Sequence, residues 1–211
     1  MLFRSGLIIT GAPVEQMDFA QVAYWHELKE VLDWATTHVF SSLFICWAAQ
    51  AALHAYYGIE KQPLEDKLFG VYPHRALLPT HPLMRGFDDT FYVPHSRHTT
   101  ITEDSIRDCA DLLLLATSKR AGFYLAASRN GSRVFATGHS EYDWDTLEKE
   151  YLRDLGKGLP IAPPENYYRD NDPENPPVVS WRAHANMLFS NWLNYFVYQE
   201  TPFDLNAIGK R

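Results

Sequence analysis

The sequence has few cysteines and no long apolar run. Only two of its 211 residues are cysteines, Cys46 and Cys109. Two are too few for a disulfide framework, and this favours a reducing, intracellular setting. No apolar stretch approaches the roughly 18 residues of a membrane span, and the N-terminal apolar run is too short for a signal peptide. These absences predict a soluble cytoplasmic protein without a membrane partner.

Basic residues are also scarce. The chain has 19 Lys and Arg against 26 Asp and Glu, for a formal net charge of −7. This balance argues against a nucleic-acid partner, which calls for clustered basic side chains, but it allows small anionic ligands. The nine histidines are scattered, and none forms a ligand pair with a cysteine, so we expect no metal site. No repeat divides the chain, and we expect a single domain over residues 1–211.

Strands and helices alternate at the start of the chain. Apolar runs at 6–10 and 40–45 predict strands, while helical spacing predicts helices over 19–38 and 47–57. Gly58 is placed to cap the second helix. Alternation of this kind predicts an α/β fold with a mostly parallel sheet and flanking helices.

The remainder of the chain has shorter β-type runs between residues 68 and 137, including a hairpin signal at Asn130–Gly131. Residues 138–158 predict a strand end, a loop and a helix. Residues 159–180 are rich in Pro, Asn and Asp and predict a long surface loop. Residues 181–205 predict a final aromatic helix.

Cys46 is the candidate nucleophile because it lies on the predicted turn between a strand and a helix. The N-terminus of that helix favours a thiolate. His139 follows another predicted strand, and Glu141 is close enough in sequence to orient its imidazole. Nucleophile, base and orienting carboxylate are the components of acyl-transfer chemistry. Taken one at a time, the three residues also fit simpler interpretations: an inert core cysteine, a hydrogen-bonded histidine and a solvated glutamate. For Cys109, which lies on no such turn, an inert cysteine is the only interpretation.

An oxyanion would need backbone N–H donors near Cys46. The amide of Trp47, directly after the nucleophile, is one candidate. The loop after the first strand offers Gly11 and Ala12, whereas Pro13 has no N–H group. We therefore predict an oxyanion hole made of these three amides.

Long motifs in this chain resemble the homoserine O-acyltransferase family of methionine biosynthesis, the branch with a flavodoxin-like, class I glutamine amidotransferase-like fold. The motifs run over nearly the whole chain, and they are "GLIITGAPVE", "VAYWHELKEVLDWA", "LFICWAAQAALHAYYGI", "KLFGVYPHRAL", "RGFDDTFYVPHSRHT", "TGHSEYD" and "NDPENPPVVSWRAHANMLFSNWLNYFVYQETPFDL". The resemblance implies transfer of an acyl group from an acyl-CoA to a cysteine and then to the hydroxyl of homoserine. It implies no prosthetic group, with acetyl-CoA as a co-substrate.

The resemblance also implies a role for each matching residue. Cys46 is expected to carry the acyl thioester, with His139 as proton acceptor and Glu141 as the third member of the triad. The substrate-binding positions of the family match Lys67, Ser96 and Arg153. A guanidinium fork such as that of Arg153 suits the carboxylate of homoserine. The simpler alternatives are a surface ion pair for Arg153, a solvated side chain for Lys67 and a turn hydroxyl for Ser96.

Glu15 indicates the acyl donor, since the resemblance associates glutamate here with acetyl-CoA users and glycine with succinyl-CoA users. An ionised carboxylate would repel the second carboxylate of a succinyl group. Homoserine acetylation is thus the leading hypothesis. Serine acetylation, homoserine succinylation, glutamine hydrolysis and an inactive truncated relative are the alternatives.

Two features depart from the family pattern. The chain is short at its N-terminus relative to the family, so we expect the sheet to expose an edge. Ser140 stands where relatives commonly have proline. The sequence does not fix the oligomeric state, and a homodimer is among the arrangements that it allows.

Overall fold

The computed structural model describes residues 6–199. The strands are β1 (Gly6–Ile9), β2 (Ser41–Ile45), β3 (Gln62–Ala76), β4 (Thr90–Thr100), β5 (Leu112–Ser118), β6 (Gly122–Ser128) and β7 (Arg133–Ala136). The α-helices are α1 (Trp25–His38), α2 (Trp47–Tyr57), α3 (Glu103–Asp108), α4 (Thr146–Gly156) and α5 (Arg182–Trp192). Short 3₁₀ helices cover Phe19–Gln21, Pro82–Met84 and Arg169–Asn171, and a π-helical segment, Leu193–Tyr198, follows α5.

The seven described strands form one sheet in the order β1-β2-β7-β6-β5-β3-β4. Pairing is parallel from β1 through β2 to β7 and antiparallel between all the other neighbours. The α/β class is confirmed, but the sheet is mixed and not mostly parallel as predicted. The reason is connection length: β5, β6 and β7 are joined by loops too short for a crossover, so they pair as antiparallel hairpins.

Both faces of the sheet are covered, as predicted. Leu43 and Ile45 of β2 belong to a core cluster that includes Leu188 and Trp192 of α5. The intervening Phe44 belongs to a second cluster built with α1 and α2. This alternation follows from the pleat of a strand, which points successive side chains to opposite faces.

The predicted elements match the structure well at the start of the chain. Gly58 is left-handed with φ 67° and caps α2, and its N–H donates to the His54 carbonyl at 2.9 Å. The predicted helix over 19–38 is a 3₁₀ turn followed by α1. The burial of Phe19 against Trp47 and Ala51 explains this break, because tertiary packing overrides the helical spacing there.

The end of the chain departs only in detail from the prediction. The final helix begins at Arg182, and the positions 200–205 of the predicted helix lie outside the described residues. Among residues 6–199, no helix has the length and apolar character needed to cross a membrane.

The long loop over 159–180 is tied to β3 by a parallel bridge. The Val71 N–H donates to the Glu165 carbonyl at 2.8 Å, and the Glu165 N–H donates to the Phe69 carbonyl at 3.0 Å. Gly70 lies between them with φ 149°, and a Cβ added there would lie 2.4 Å from the Glu165 oxygen. Only glycine permits this approach.

Replacing Gly70 by alanine is expected to detach the loop and destabilise the protein by about 1–3 kcal/mol, because the two backbone hydrogen bonds to Glu165 would be displaced. Thermal unfolding of the Gly70→Ala variant checks this. Gly122→Ala is the control: its φ of 68° is also positive, but nothing lies within 4 Å of its added Cβ. Equal losses in both variants would show that backbone conformation, and not the loop contact, decides the effect.

Candidate active site

Cys46 occupies the sharp turn between β2 and α2. Its φ of 56° and ψ of −121° put a non-glycine residue in a sparsely populated conformation. Such a conformation costs on the order of 1–3 kcal/mol and is held only by its surroundings. Here the Cys46 N–H donates to the Ala136 carbonyl of β7 at 2.7 Å, and α2 begins at the next residue. The turn therefore presents the sulfur at the carboxyl edge of the parallel strands.

His139 lies at the same edge because it follows β7, the parallel neighbour of β2. Its N–H donates to the Pro94 carbonyl at 2.8 Å, and its ring stacks on Tyr142 with centroids 4.1 Å apart. The Nδ1 atom lies 2.7 Å from the Glu141 carboxylate. Nε2 is thus left to face the sulfur, and the Cys46 side chain is a hydrogen-bond partner of the ring.

The charge state of His139 is set by two opposing effects. Burial by itself would lower the pKa of the imidazole, since His139 is only 7% exposed. The negative charge and hydrogen bond of Cys46, and then the hydrogen bond and charge of Glu141, outweigh it and raise the pKa above its usual value. The site therefore favours the imidazolium form of His139 at neutral pH.

Gly11, one of the predicted oxyanion donors, lies beside Cys46 and Trp47. A Cβ placed on Gly11 would lie 3.4 Å from the Cys46 sulfur and 3.5 Å from the Trp47 amide nitrogen. Gly11 and Ala12 both line the cavity in front of the sulfur. A glycine at position 11 keeps this space open, as an oxyanion hole requires.

A cavity of about 630 Å³ opens in front of Cys46. Its wall is formed by most of the residues predicted from the sequence, namely Gly11, Ala12, Glu15, Cys46, Lys67, Ser96, His139 and Arg153. Trp47 and Glu141 are not on the wall: Trp47 is buried beside Cys46, and Glu141 lies behind His139. The structure thus collects the predicted side chains around one space, while their individual roles stay predictions.

One wall of this cavity is a network of charged side chains. Glu150 accepts hydrogen bonds from Lys67 at 2.7 Å and from Ser96 at 2.8 Å. Asp154 pairs with Arg153 at 2.7 Å and with Lys67 at 3.4 Å. The hydrogen bond from Arg153, followed by the charge of Lys67, lowers the pKa of Asp154, which keeps its carboxylate ionised.

Glu150 and Asp154 were missed by the sequence analysis. A signal was present, because Glu150, Arg153 and Asp154 recur at the i, i+3 and i+4 spacing that places side chains on one face of a helix. By itself, this spacing of charged residues predicts only a helix face that is exposed to solvent. The pairing of α4 with Lys67 of β3 is a long-range contact that no local pattern reveals.

Glu15 lies on the loop between β1 and the first 3₁₀ turn. Its Oε2 atom is buried and has no hydrogen-bond partner within the part of the chain that the structure describes. Lys61 holds the loop in place by donating to the backbone carbonyls of Glu15 and Met17. The carboxylate is therefore available to a ligand in the cavity.

A buried polar chain lies behind the cavity wall. Arg97 donates to the carbonyl of Thr99 at 2.7 Å and to His95 Nδ1 at 3.4 Å, and His95 Nε2 lies 3.1 Å from His74 Nε2. The His74 Nδ1 atom lies 2.8 Å from the Tyr72 carbonyl. Burial lowers the pKa of both histidines, so each is neutral and the chain has a single consistent hydrogen-bond direction.

Ser140 lies between His139 and Glu141, at the position where the resemblance leads us to expect proline. Its hydroxyl lies 2.6 Å from the buried Tyr124 hydroxyl, a hydrogen bond that proline cannot make. The loop that carries His139 and Glu141 is therefore held from β6 as well as from β4.

The fold and the meeting of Cys46, His139 and Glu141 define an α/β protein with a cysteine on a strand-to-helix turn that faces a histidine and glutamate pair. A glutamine amidotransferase structure from Thermotoga maritima superposes with a TM-score of 0.67 at 15% identity, over 90% of this chain and 78% of that one. At this identity the likeness establishes the fold, which is the class I glutamine amidotransferase-like fold that the resemblance implied.

The homoserine O-succinyltransferase family model matches residues 4–203, and the chain belongs to this family. A homoserine O-acetyltransferase from Bacteroides thetaiotaomicron is 62% identical over 96% of this chain and 67% of its own length. A homoserine O-acetyltransferase from Acetivibrio thermocellus is 59% identical over the same shares. The predicted family is therefore confirmed.

Proposed function

We propose that this protein transfers an acetyl group from acetyl-CoA to the hydroxyl of L-homoserine through a thioester on Cys46. The names of its relatives support acyl transfer to homoserine in methionine biosynthesis. The observation that carries the mechanism is the meeting of Cys46, His139 and Glu141 at the edge of a cavity whose wall is charged. Both cysteines are free, in keeping with a cytoplasmic location.

In the first half-reaction, the Cys46 thiolate attacks the thioester carbonyl of acetyl-CoA. A carbon–sulfur bond forms to Cys46, and the oxyanion accepts hydrogen bonds from the amides of Trp47 and the Gly11 loop. Collapse of the tetrahedral intermediate breaks the bond to CoA. His139 donates its proton to the departing CoA thiolate.

The second half-reaction uses the same histidine as a base. The charge of Cys46 is a principal cause of the raised pKa of His139, and acetylation removes that charge. Burial then acts to lower the pKa, which favours the neutral imidazole needed to accept a proton. The homoserine hydroxyl gives its proton to His139, attacks the acetyl carbonyl and expels the Cys46 thiolate.

The charged wall provides the acceptor site. Arg153 is the most exposed member, with its side chain 55% exposed, and offers donors to the α-carboxylate. Glu150 and Asp154 offer carboxylate oxygens to the α-ammonium group. Ser96 fixes Glu150 from β4. The wall therefore offers a partner to each charge of the amino-acid zwitterion. Water and simple alcohols carry no such charges and gain nothing from these partners.

The Glu150→Gln variant tests this assignment. It is expected to raise the KM for homoserine by about 10- to 100-fold, the range for losing a hydrogen bond to a charged group of about 1.5–3 kcal/mol. Acetylation of Cys46 in the absence of homoserine should keep its rate. Glu148→Gln, on the same helix but outside the cavity wall, is the matched control. A lost acetylation step would instead assign Glu150 to the first half-reaction.

The identity of both substrates is tested by comparing kcat/KM values for two donors and two acceptors. We expect acetyl-CoA to exceed succinyl-CoA and homoserine to exceed serine. In Glu15→Gly the preference for acetyl-CoA should fall by at least about tenfold, because a repulsive carboxylate in a partly dry site is removed. Glu15→Gln keeps the size but not the charge, and so separates repulsion from crowding. A wild-type preference for serine or succinyl-CoA would overturn the proposal.

A further inference from the structure

A second cavity of about 590 Å³ adjoins the one in front of Cys46. Gln16 and His98 line both cavities. The volume of the second cavity lies within the range of about 300–1,000 Å³ that is usual for small-molecule sites. Neither the triad nor the charged wall uses it.

Two segments run from the first cavity into the second. Along the loop after β1, Glu15 lines the first cavity, Gln16 lines both, and Asp18 lines the second. Along β4, Ser96 lines the first and His98 lines both. A ligand with its reactive end at Cys46 can therefore continue past Gln16 and His98, away from the acceptor wall.

The lining of the second cavity selects a largely uncharged ligand. Apolar surface comes from Phe19, Ala20, Pro63 and Leu64. Lys61 is the one lysine or arginine on this wall among the described residues, and its ammonium already donates to two loop carbonyls. Asp18 and Glu60 add negative charge, which opposes a diphosphate. His54 Nδ1 lies 3.0 Å from the Glu60 carboxylate, which leaves His54 Nε2 and the His98 ring nitrogens to bond to amide groups.

We infer that the second cavity holds the pantetheine arm of the thioester donor, an inference that rests on the proposed acetyl transfer. The arm joins the thioester sulfur to the nucleotide and carries two amides and a dimethyl group, without charge. The nucleotide lies beyond the cavity. Coenzyme A and an acyl carrier protein present the same arm. Comparing kcat/KM for acetyl-CoA with kcat/KM for the acetyl-loaded carrier protein distinguishes these two sources.

The Ala20→Trp variant fills this cavity from an exposed backbone position. The kcat/KM for acetyl-CoA should fall by at least about tenfold, while that for S-acetyl-N-acetylcysteamine, which lacks most of the arm, should change by less than about twofold. Ala23→Trp, three residues away, exposed and outside both cavities, is the control and should match the wild type with both donors. An equal fall with both donors, or no fall, would overturn the inference.

Binding of pantetheine itself gives a readout that needs no catalysis. Calorimetry with the Cys46→Ser protein should detect pantetheine, and adding Ala20→Trp should weaken binding by at least about tenfold. Absence of binding, or equal binding to both proteins, would contradict the assignment. The two proposals can fail separately. If the wild-type protein transfers acetyl from no donor, the proposed reaction is wrong. If Ala20→Trp still weakens pantetheine binding in that case, the assignment of the cavity is retained.

Discussion

Replacement of Cys46 by serine should lower kcat/KM for acetyl transfer to homoserine by at least about 10⁴-fold. The serine hydroxyl is not ionised near neutral pH, so the triad loses the nucleophile around which it is arranged, and losses of this size follow removal of a nucleophile from a triad. The strained turn still holds a side chain of similar size. Initial rates of O-acetylhomoserine formation measure the effect.

Cys109→Ser is the control for this experiment. Cys109 is also a free cysteine, but it lies at the end of α3 and does not line the cavity. Its variant should keep activity within about twofold of the wild type, as expected for a residue outside the site. A Cys46→Ser protein with more than about a tenth of the wild-type rate would contradict a requirement for the Cys46 thiolate.

Replacement of His139 by glutamine should lower kcat/KM by about 10²–10⁴-fold, the usual contribution of a general acid–base group. Glutamine keeps a polar side chain but can neither stabilise a thiolate by charge nor accept the homoserine proton. Both half-reactions should slow, which separate single-turnover measurements of acetylation and deacetylation can establish.

His26→Gln on the exposed face of α1 is the matched control and should leave both steps unchanged. A His139→Gln protein that acetylates at the wild-type rate and fails only in deacetylation would show that the imidazolium is not needed to form the Cys46 thiolate. The raised pKa of His139 would then have no part in the first step.

The site was predictable where local patterns determine it. A β-type run, a cysteine and an alanine-rich helix specify the turn at Cys46 without reference to the rest of the chain. The short spacing between His139 and Glu141 allowed their contact to be anticipated. The positions of Lys67, Ser96 and Arg153 came from the family resemblance, and the structure places all three on one cavity wall.

The remainder depends on contacts between distant segments. The antiparallel pairing of β3 with β4 and β5 is invisible to periodicity, because an apolar strand has the same pattern in either direction. The positions of Glu150 and Asp154 depend on where α4 packs. In the sequence, Arg97 is one more charged residue in a predicted strand. In the structure it is only 1% exposed, and its guanidinium donates hydrogen bonds to backbone carbonyls.

The most direct test of the central claim is the intact mass of the protein after brief mixing with acetyl-CoA in the absence of acceptor. The account predicts an added acetyl group on the wild type and none on Cys46→Ser, and it predicts that L-homoserine removes the adduct and yields O-acetylhomoserine. A folded wild-type protein that forms no adduct yet produces O-acetylhomoserine, or an adduct that persists with homoserine, would contradict the proposed thioester mechanism.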